Sequence, residues 1–197
     1  MIETIIFDIG GVLVHAPATP LSDKWAHRCG LSSAEFDEIV FNSPYYQDAA
    51  LGKISNEDLW QDKIERLGLS AEDAAVLRDD YWDAVWDDAL LAFIQTLKPH
   101  YKLGILSDAT SGARERVSEW IDLSLFDAVL FSYEAGMAKP NPEVYLRILA
   151  MLGATAVTTL FIDDRAHNVQ AALDLGMSSF QFTTTSETIT RIQQLLK

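Results

Sequence analysis

The sequence predicts an α/β protein in which helices cover both faces of a parallel sheet and a helical unit is inserted early in the chain. Three observations lead there. Short, continuous apolar runs recur, and each ends in polar residues. Helical patterns lie between the runs, as in a sheet buried on both faces. The segment 14–100 that joins the first two runs is far longer than a strand–helix–strand unit of about 30 residues needs. At 197 residues and 49% hydrophobic, the chain can bury one sizeable core plus an insertion.

The runs come in order. Thr4-Ile5-Ile6-Phe7 leads into Asp8, and Leu103-Gly104-Ile105-Leu106 leads into Ser107 and Asp108. Ala128-Val129-Leu130-Phe131 leads into Ser132, and Thr159-Leu160-Phe161-Ile162 leads into Asp163 and Asp164. Strands alternating with helices make a parallel sheet with right-handed crossovers. Ligands of such sheets bind beyond the carboxyl ends of the strands, where all of these polar residues fall.

Ser55-Asn56-Glu57-Asp58 and Ser70-Ala71-Glu72-Asp73 each read as a capping box opening a helix. Asn141-Pro142 reads as an N-cap with proline at the first helical position. The stripe Val144, Tyr145, Ile148, Leu149 and Leu152 follows it on one helix face. The boundaries expected are a core of residues 1–15 and 87–197 and a helical cap of 16–86, with 87–98 returning to the core as a helix. The cap holds Trp25, Trp60, Trp82 and Trp86, every tryptophan except Trp120. Tyr45, Tyr46, Trp60, Trp82 and Trp86 either line a pocket or fill the cap's own core.

A net charge of −14 argues against nucleic acid as a partner, because no surplus of Lys and Arg is available to neutralise phosphates. A small anionic substrate stays open, since local cations decide the field within a pocket. No apolar run approaches a membrane span, and the N-terminus does not read as a signal peptide. The single cysteine, Cys29, permits no internal disulfide and fits a reducing cytoplasm. A monomer or a homodimer is expected.

Asp8, Asp163 and Asp164 should converge at neighbouring strand ends. Carboxylates that close repel and raise one another's pKa unless a cation joins them. Hard oxygen ligands without a His/Cys cluster suit Mg²⁺ rather than zinc. Ser107 offers a hydroxyl to an anion, Lys139 a positive charge, and Gly10-Gly11 a backbone free to turn tightly and approach a ligand. Together they describe a cation-assisted phosphate cradle with the Asp8 carboxylate as nucleophile.

These stretches resemble the four motifs of the haloacid dehalogenase-like (HAD) hydrolase superfamily, in order. They are Phe7-Asp8-Ile9-Gly10-Gly11-Val12-Leu13, Leu106-Ser107-Asp108, Gly136-Met137-Ala138-Lys139-Pro140-Asn141-Pro142, and Phe161-Ile162-Asp163-Asp164-Arg165 with Asn168. Ala171-Ala172-Leu173-Asp174-Leu175-Gly176-Met177 is similar to the family's closing helix. The resemblance spans the whole chain and is greatest to the branch with small helical caps, which includes sugar-phosphate phosphatases and the phosphatase domain of soluble epoxide hydrolases. It implies a Rossmann-like three-layer core with an inserted cap. It further implies a Mg²⁺-dependent phosphatase of small phosphorylated metabolites, working through an aspartyl-phosphate on Asp8. By position, Asp8 and Lys139 would be catalytic. Gly11, Ser107, Asp108 and Lys139 would hold the phosphate, and Asp8, Gly10 (through its carbonyl), Asp163 and Asp164 would hold the metal.

Two departures stand out. Family phosphatases usually carry a second aspartate where this chain has Gly10, and that group protonates the leaving oxygen and later activates water. Such help is worth about 10²–10⁴-fold in rate. His15 is either an ordinary loop histidine or a substitute proton donor. The second departure is Asp108, where many relatives have Asn. A phosphate-ligand binder with little or no turnover, motivated by Gly10, is the alternative function. A haloacid dehalogenase is a weaker one, because the Asp163-Asp164 pair keeps a full metal site.

Overall fold

The computed structural model describes residues 1–197. The first strand, β1 (Thr4–Phe7), is fully buried. A short strand β2 (Val14–His15) then carries the chain away from the core, and β3 (Val85–Trp86) returns antiparallel to it. Between them every regular element is helical. These helices are α1 (Leu21–Trp25), α2 (Ser33–Asp37), α3 (Pro44–Ala50), α4 (Asn56–Leu67) and α5 (Ala71–Tyr81). They enclose a cluster of their own: Trp25, Ala26, Phe36, Val40, Trp60, Leu67 and Leu77.

After β3 come α6 (Asp88–Leu97), β4 (Lys102–Ser107), α7 (Ala113–Ser118), β5 (Ala128–Phe131) and α8 (Ser132–Ala135). The chain ends with α9 (Pro142–Leu152), β6 (Thr159–Asp163), α10 (Ala166–Asp174), β7 (Ser178–Gln181) and α11 (Thr185–Leu195). The main sheet has five strands in the order β5-β4-β1-β6-β7, all parallel. Chain direction across the sheet reverses at β1: β4 and β5 lie on one side of it, β6 and β7 on the other. The crevice between β1 and β6 is therefore the switch point at which such folds bind ligands.

Alternation along the strands builds the three layers. Ile5, Phe7, Leu103, Ile105 and Ile162 face the side covered by α6, α7 and α11, through Leu90, Ile94, Val117 and Ile192. Ile6, Leu106, Leu130 and Phe161 face α9 and α10, and the stripe Val144, Tyr145, Ile148, Leu149 and Leu152 is buried against them. Each fully buried Ile or Leu contributes roughly 1.5–3 kcal/mol.

The four apolar runs are strands of this sheet, but the fifth strand escapes the same pattern. Ser178-Ser179-Phe180-Gln181 is an edge strand with only Phe180 buried, so it lacks the continuous apolar run. The capping boxes at Ser55 and Ser70 also need correction. Each serine caps its helix, accepting from the N–H of Asp58 and Asp73 respectively. The reciprocal bond is missing, and both aspartates accept from the serine hydroxyl instead. A full box forms at Ser32, where the longer Glu35 reaches back to the Ser32 N–H at 2.9 Å.

Candidate active site

Asp8 stands one residue beyond β1, its N–H still in the ladder to the Ile162 carbonyl at 2.9 Å. Its side chain is buried at 6% exposure, and Oδ1 accepts from the Ile9 N–H at 2.7 Å. The chain then coils tightly: the N–H groups of Leu13 and Val14 both donate to the Ile9 carbonyl, and Gly11 N–H donates to Val14. Gly11 has φ +73°, and a Cβ there would lie 2.5 Å from Asp164 Oδ2. Glycine is what lets the coil pass against that carboxylate. Gly10 is different: a Cβ on it would meet nothing within 4 Å.

Across the switch point, β6 ends in Asp163, which is fully buried. Its Oδ1 accepts from Arg165 N–H at 2.8 Å and from Asn168 Nδ2 at 3.0 Å. Lys139 Nζ lies 2.6 Å from Asp163 Oδ2 and 3.0 Å from Asp8 Oδ2. The lysine loop is itself held by Asp108, whose Oδ1 accepts from Lys139 N–H at 3.0 Å. So the Asp108 carboxylate anchors backbone, and Ser107 before it is buried at the end of β4.

The charges do not balance. One buried ammonium meets the carboxylates of Asp8, Asp163 and Asp164, whose ligand atoms all lie within 4.8 Å of one another. Burial pushes the Asp8 carboxyl up to about 6, although Lys139 pulls it down. Burial, reinforced by Asp163, also raises Asp164, and burial raises Asp108 against the pull of Lys139. Lys139 is held above its ordinary value: desolvation opposes its charge, and Asp8, Asp163 and Asp108 outweigh desolvation. Asp164 Oδ1 is buried with no hydrogen-bond partner, whereas every oxygen of Asp163 is engaged. An orphaned Asp164 oxygen beside Asp8 and Asp163, which share a single ammonium, fits a hard divalent cation.

A cavity of about 940 Å³ opens from these residues toward the helical insertion. Gly10, Gly11, Ser107, Asp108, Lys139 and Asp164 line it together with Asp8, whereas Asp163 lies behind. Every sequence-predicted site residue is thus brought to one place. Of Tyr45, Tyr46, Trp60, Trp82 and Trp86, only Tyr46 lines the cavity. Trp60 is buried among α1–α5, Trp82 and Trp86 pack on the core, and Tyr45 is exposed. Phe41 and Tyr81 line the wall without having been singled out in the sequence. His15 also lines it, with Nε2 3.2 Å from buried Asp87 and its ring stacked on Phe182 at 5.5 Å. Burial would raise Asp87, but hydrogen bonds from Thr185, Leu90 N–H and His15 hold it below the ordinary carboxylate value. Asp87 was legible only as a helix start, because its partners lie 72 and 98 residues away.

Fold and site define a HAD-type hydrolase, and comparison with known proteins agrees. Residues 2–176 match the haloacid dehalogenase-like hydrolase family, and the chain belongs to it. A sesquiterpene phosphatase of Aspergillus oryzae is 28% identical over 98% of this chain and 96% of its own length. A D-ribitol-5-phosphate phosphatase of Bacteroides thetaiotaomicron is 26% identical over 92% of both chains. The same fold occurs in a HAD family enzyme of Bacteroides thetaiotaomicron solved with magnesium and inorganic phosphate. Its TM-score is 0.80 at 20% identity, covering 93% of this chain and 95% of that one. No helix here is long and apolar enough to cross a membrane.

Proposed function

We propose that this hydrolase cleaves phosphate monoesters of small metabolites, with Asp8 as nucleophile and residues 16–86 acting as a cap over the site. The observation that carries it is the buried Asp8–Lys139–Asp163 cluster facing a cavity with one orphaned carboxylate oxygen on Asp164. In the first step an Asp8 oxygen attacks phosphorus and the P–O bond to the alcohol breaks, leaving phosphate covalently on Asp8. Lys139 and the Ser107 hydroxyl hold the phosphoryl oxygens as charge builds. In the second step water attacks phosphorus, restores the Asp8 carboxylate and releases inorganic phosphate. With no side chain at Gly10, both the departing alkoxide and the attacking water exchange protons with cavity water.

Asp8, Asp164 and the Gly10 carbonyl would hold Mg²⁺, with Asp163 orienting Lys139 and the turn at Arg165. The cation would supply neutralisation of the carboxylates and of the phosphate charge. Both named relatives are phosphatases by their names, which supports the ester class over other hydrolase chemistry. The proposal extends to a cytoplasmic monomer or homodimer.

One observation favours a second function, a phosphate-ligand binder of slow turnover. A Cβ on Gly10 would meet nothing within 4 Å, so the position of the usual proton donor is left without a side chain. Phosphate release from p-nitrophenyl phosphate and a metabolite panel, with Mg²⁺ and with chelator, separates the two. Cation-dependent release abolished by Asp8→Asn supports hydrolysis, and stabilisation by phosphate without release on any ester supports the binder.

A further inference from the structure

The helical insertion contributes to the cavity a wall of Leu21, Phe41, Tyr46, Ala50, Leu51 and Tyr81. Its aromatic members are not simply filling the insertion. Trp25, Phe36 and Trp60 do that and are almost completely buried, whereas Phe41, Tyr46 and Tyr81 stay partly exposed on the cavity. The wall is also held in place from behind. Phe41 stacks on Tyr81 at 5.6 Å, and Tyr81 meets Trp60 edge-on at 5.3 Å and Trp82 at 5.4 Å. Lys63, fully buried, lays its ammonium 4.5 Å from the Tyr81 ring centre, 4.7 Å from Trp60 and 5.5 Å from Tyr46. It has no hydrogen-bond partner; the three ring faces, together with the charge of neighbouring Asp62, are what favour it.

Several polar groups around this wall are already engaged. Asp80 accepts from Trp25 Nε1 at 2.7 Å and lies 3.6 Å from Lys24, which also pairs with Asp83 at 3.2 Å. Asn42 Nδ2 donates to the Asp37 carbonyl, and Gln47 Nε2 donates to the Asn42 carbonyl. A polyol laid against Leu21, Phe41, Ala50 and Leu51 would find no hydrogen-bond partner on those side chains, and unmet hydroxyls are costly to bury. A second anionic group would face Asp37, Asp80 and Asp83; Lys24 is already paired with two of these, and Arg165 is the other cation on the cavity outside the phosphate site.

Resting on the phosphatase function above, we infer that this wall is a preformed subsite for a bulky, uncharged, apolar leaving alcohol. A cavity of about 940 Å³ has room for such a group beyond the phosphate. Apolar burial at the wall supplies substrate selection, and the fixed rings lower the ordering cost of binding.

The test is a series of butyl, hexyl and octyl phosphates, whose leaving groups share the same acidity, set against glucose 6-phosphate and ribose 5-phosphate. With Mg²⁺, kcat/KM should rise by about threefold for each added methylene, and octyl phosphate should exceed both sugar phosphates. Phe41→Ala should flatten the series, lowering kcat/KM for octyl phosphate several-fold more than for butyl phosphate. A flat series in the wild type, or faster cleavage of the sugar phosphates, overturns the subsite. Should no ester be cleaved, p-nitrophenyl phosphate included, the phosphatase function fails instead. Calorimetric binding of butyl and octyl phosphate then decides the subsite by itself, with tighter octyl binding expected and equal binding contradicting it.

Discussion

Lys139 holds its ammonium 3.0 Å from the carboxylate of Asp8, and both side chains are buried. The same ammonium lies 2.6 Å from Asp163, so one cation joins strand ends β1 and β6 across the switch point. Removing it leaves the buried Asp8 and Asp163 carboxylates without the ammonium that joins them. Lys139→Met should lower kcat by about 10²–10³-fold and reduce stability by roughly 3–5 kcal/mol. Steady-state kinetics and denaturant unfolding check the two effects, and added Mg²⁺ should recover more of the stability than of the rate.

Gly10 can be given back a side chain. A Cβ there meets nothing within 4 Å, and the residue is not among those with positive φ. Gly10→Asp should fold normally and raise kcat on alkyl phosphates by about 10–10³-fold, within the range of general acid–base help. The gain should shrink on p-nitrophenyl phosphate, whose leaving group needs no proton. The ratio of the two rates is the measurement.

Gly11 tolerates no such change. With φ +73° and a Cβ only 2.5 Å from Asp164 Oδ2, Gly11→Ala must strain the backbone and displace that carboxylate. Mg²⁺ affinity, read by calorimetry, should fall at least about tenfold. Gly10→Ala, one residue away, should leave it unchanged.

Lys63 makes stability depend on pH in an unusual direction. Burial pushes its ammonium down to about 7, so above that pH the folded state holds fewer protons than the unfolded state. The sign follows: stability rises with pH between about 7 and 10.5, and the burial penalty is fully present below 7. The ring faces offset part of that penalty. Lys63→Met should remove this rise and be neutral or stabilising by about 1 kcal/mol at pH 7. Thermal melts across pH 6.5–10 for both proteins measure it.

The sheet and the carboxylate cluster were legible because each depends on local sequence. A strand buried on both faces must read as Thr4-Ile5-Ile6-Phe7 does, and the fold then dictates where Asp8 points. Edge strand β7 was hidden because half its residues face solvent. The His15–Asp87 contact, the wall of Phe41 and Tyr81, and the caged Lys63 were hidden for another reason. They join residues that no local pattern relates, and a lysine within α4 reads as surface until three rings close over it.

The central claim is that Asp8 carries the phosphoryl group. Acid quenching during turnover with Mg²⁺, followed by peptide mass spectrometry, tests it most directly. A phosphorylated peptide containing Asp8, present in the wild type and lost in Asp8→Asn together with turnover, is the result expected. With p-nitrophenyl phosphate, whose leaving group needs no proton, only the water-activating role of the missing carboxylate is lost, and that species should accumulate. Sustained phosphate release with no modification of Asp8, undiminished in Asp8→Asn, would contradict the claim.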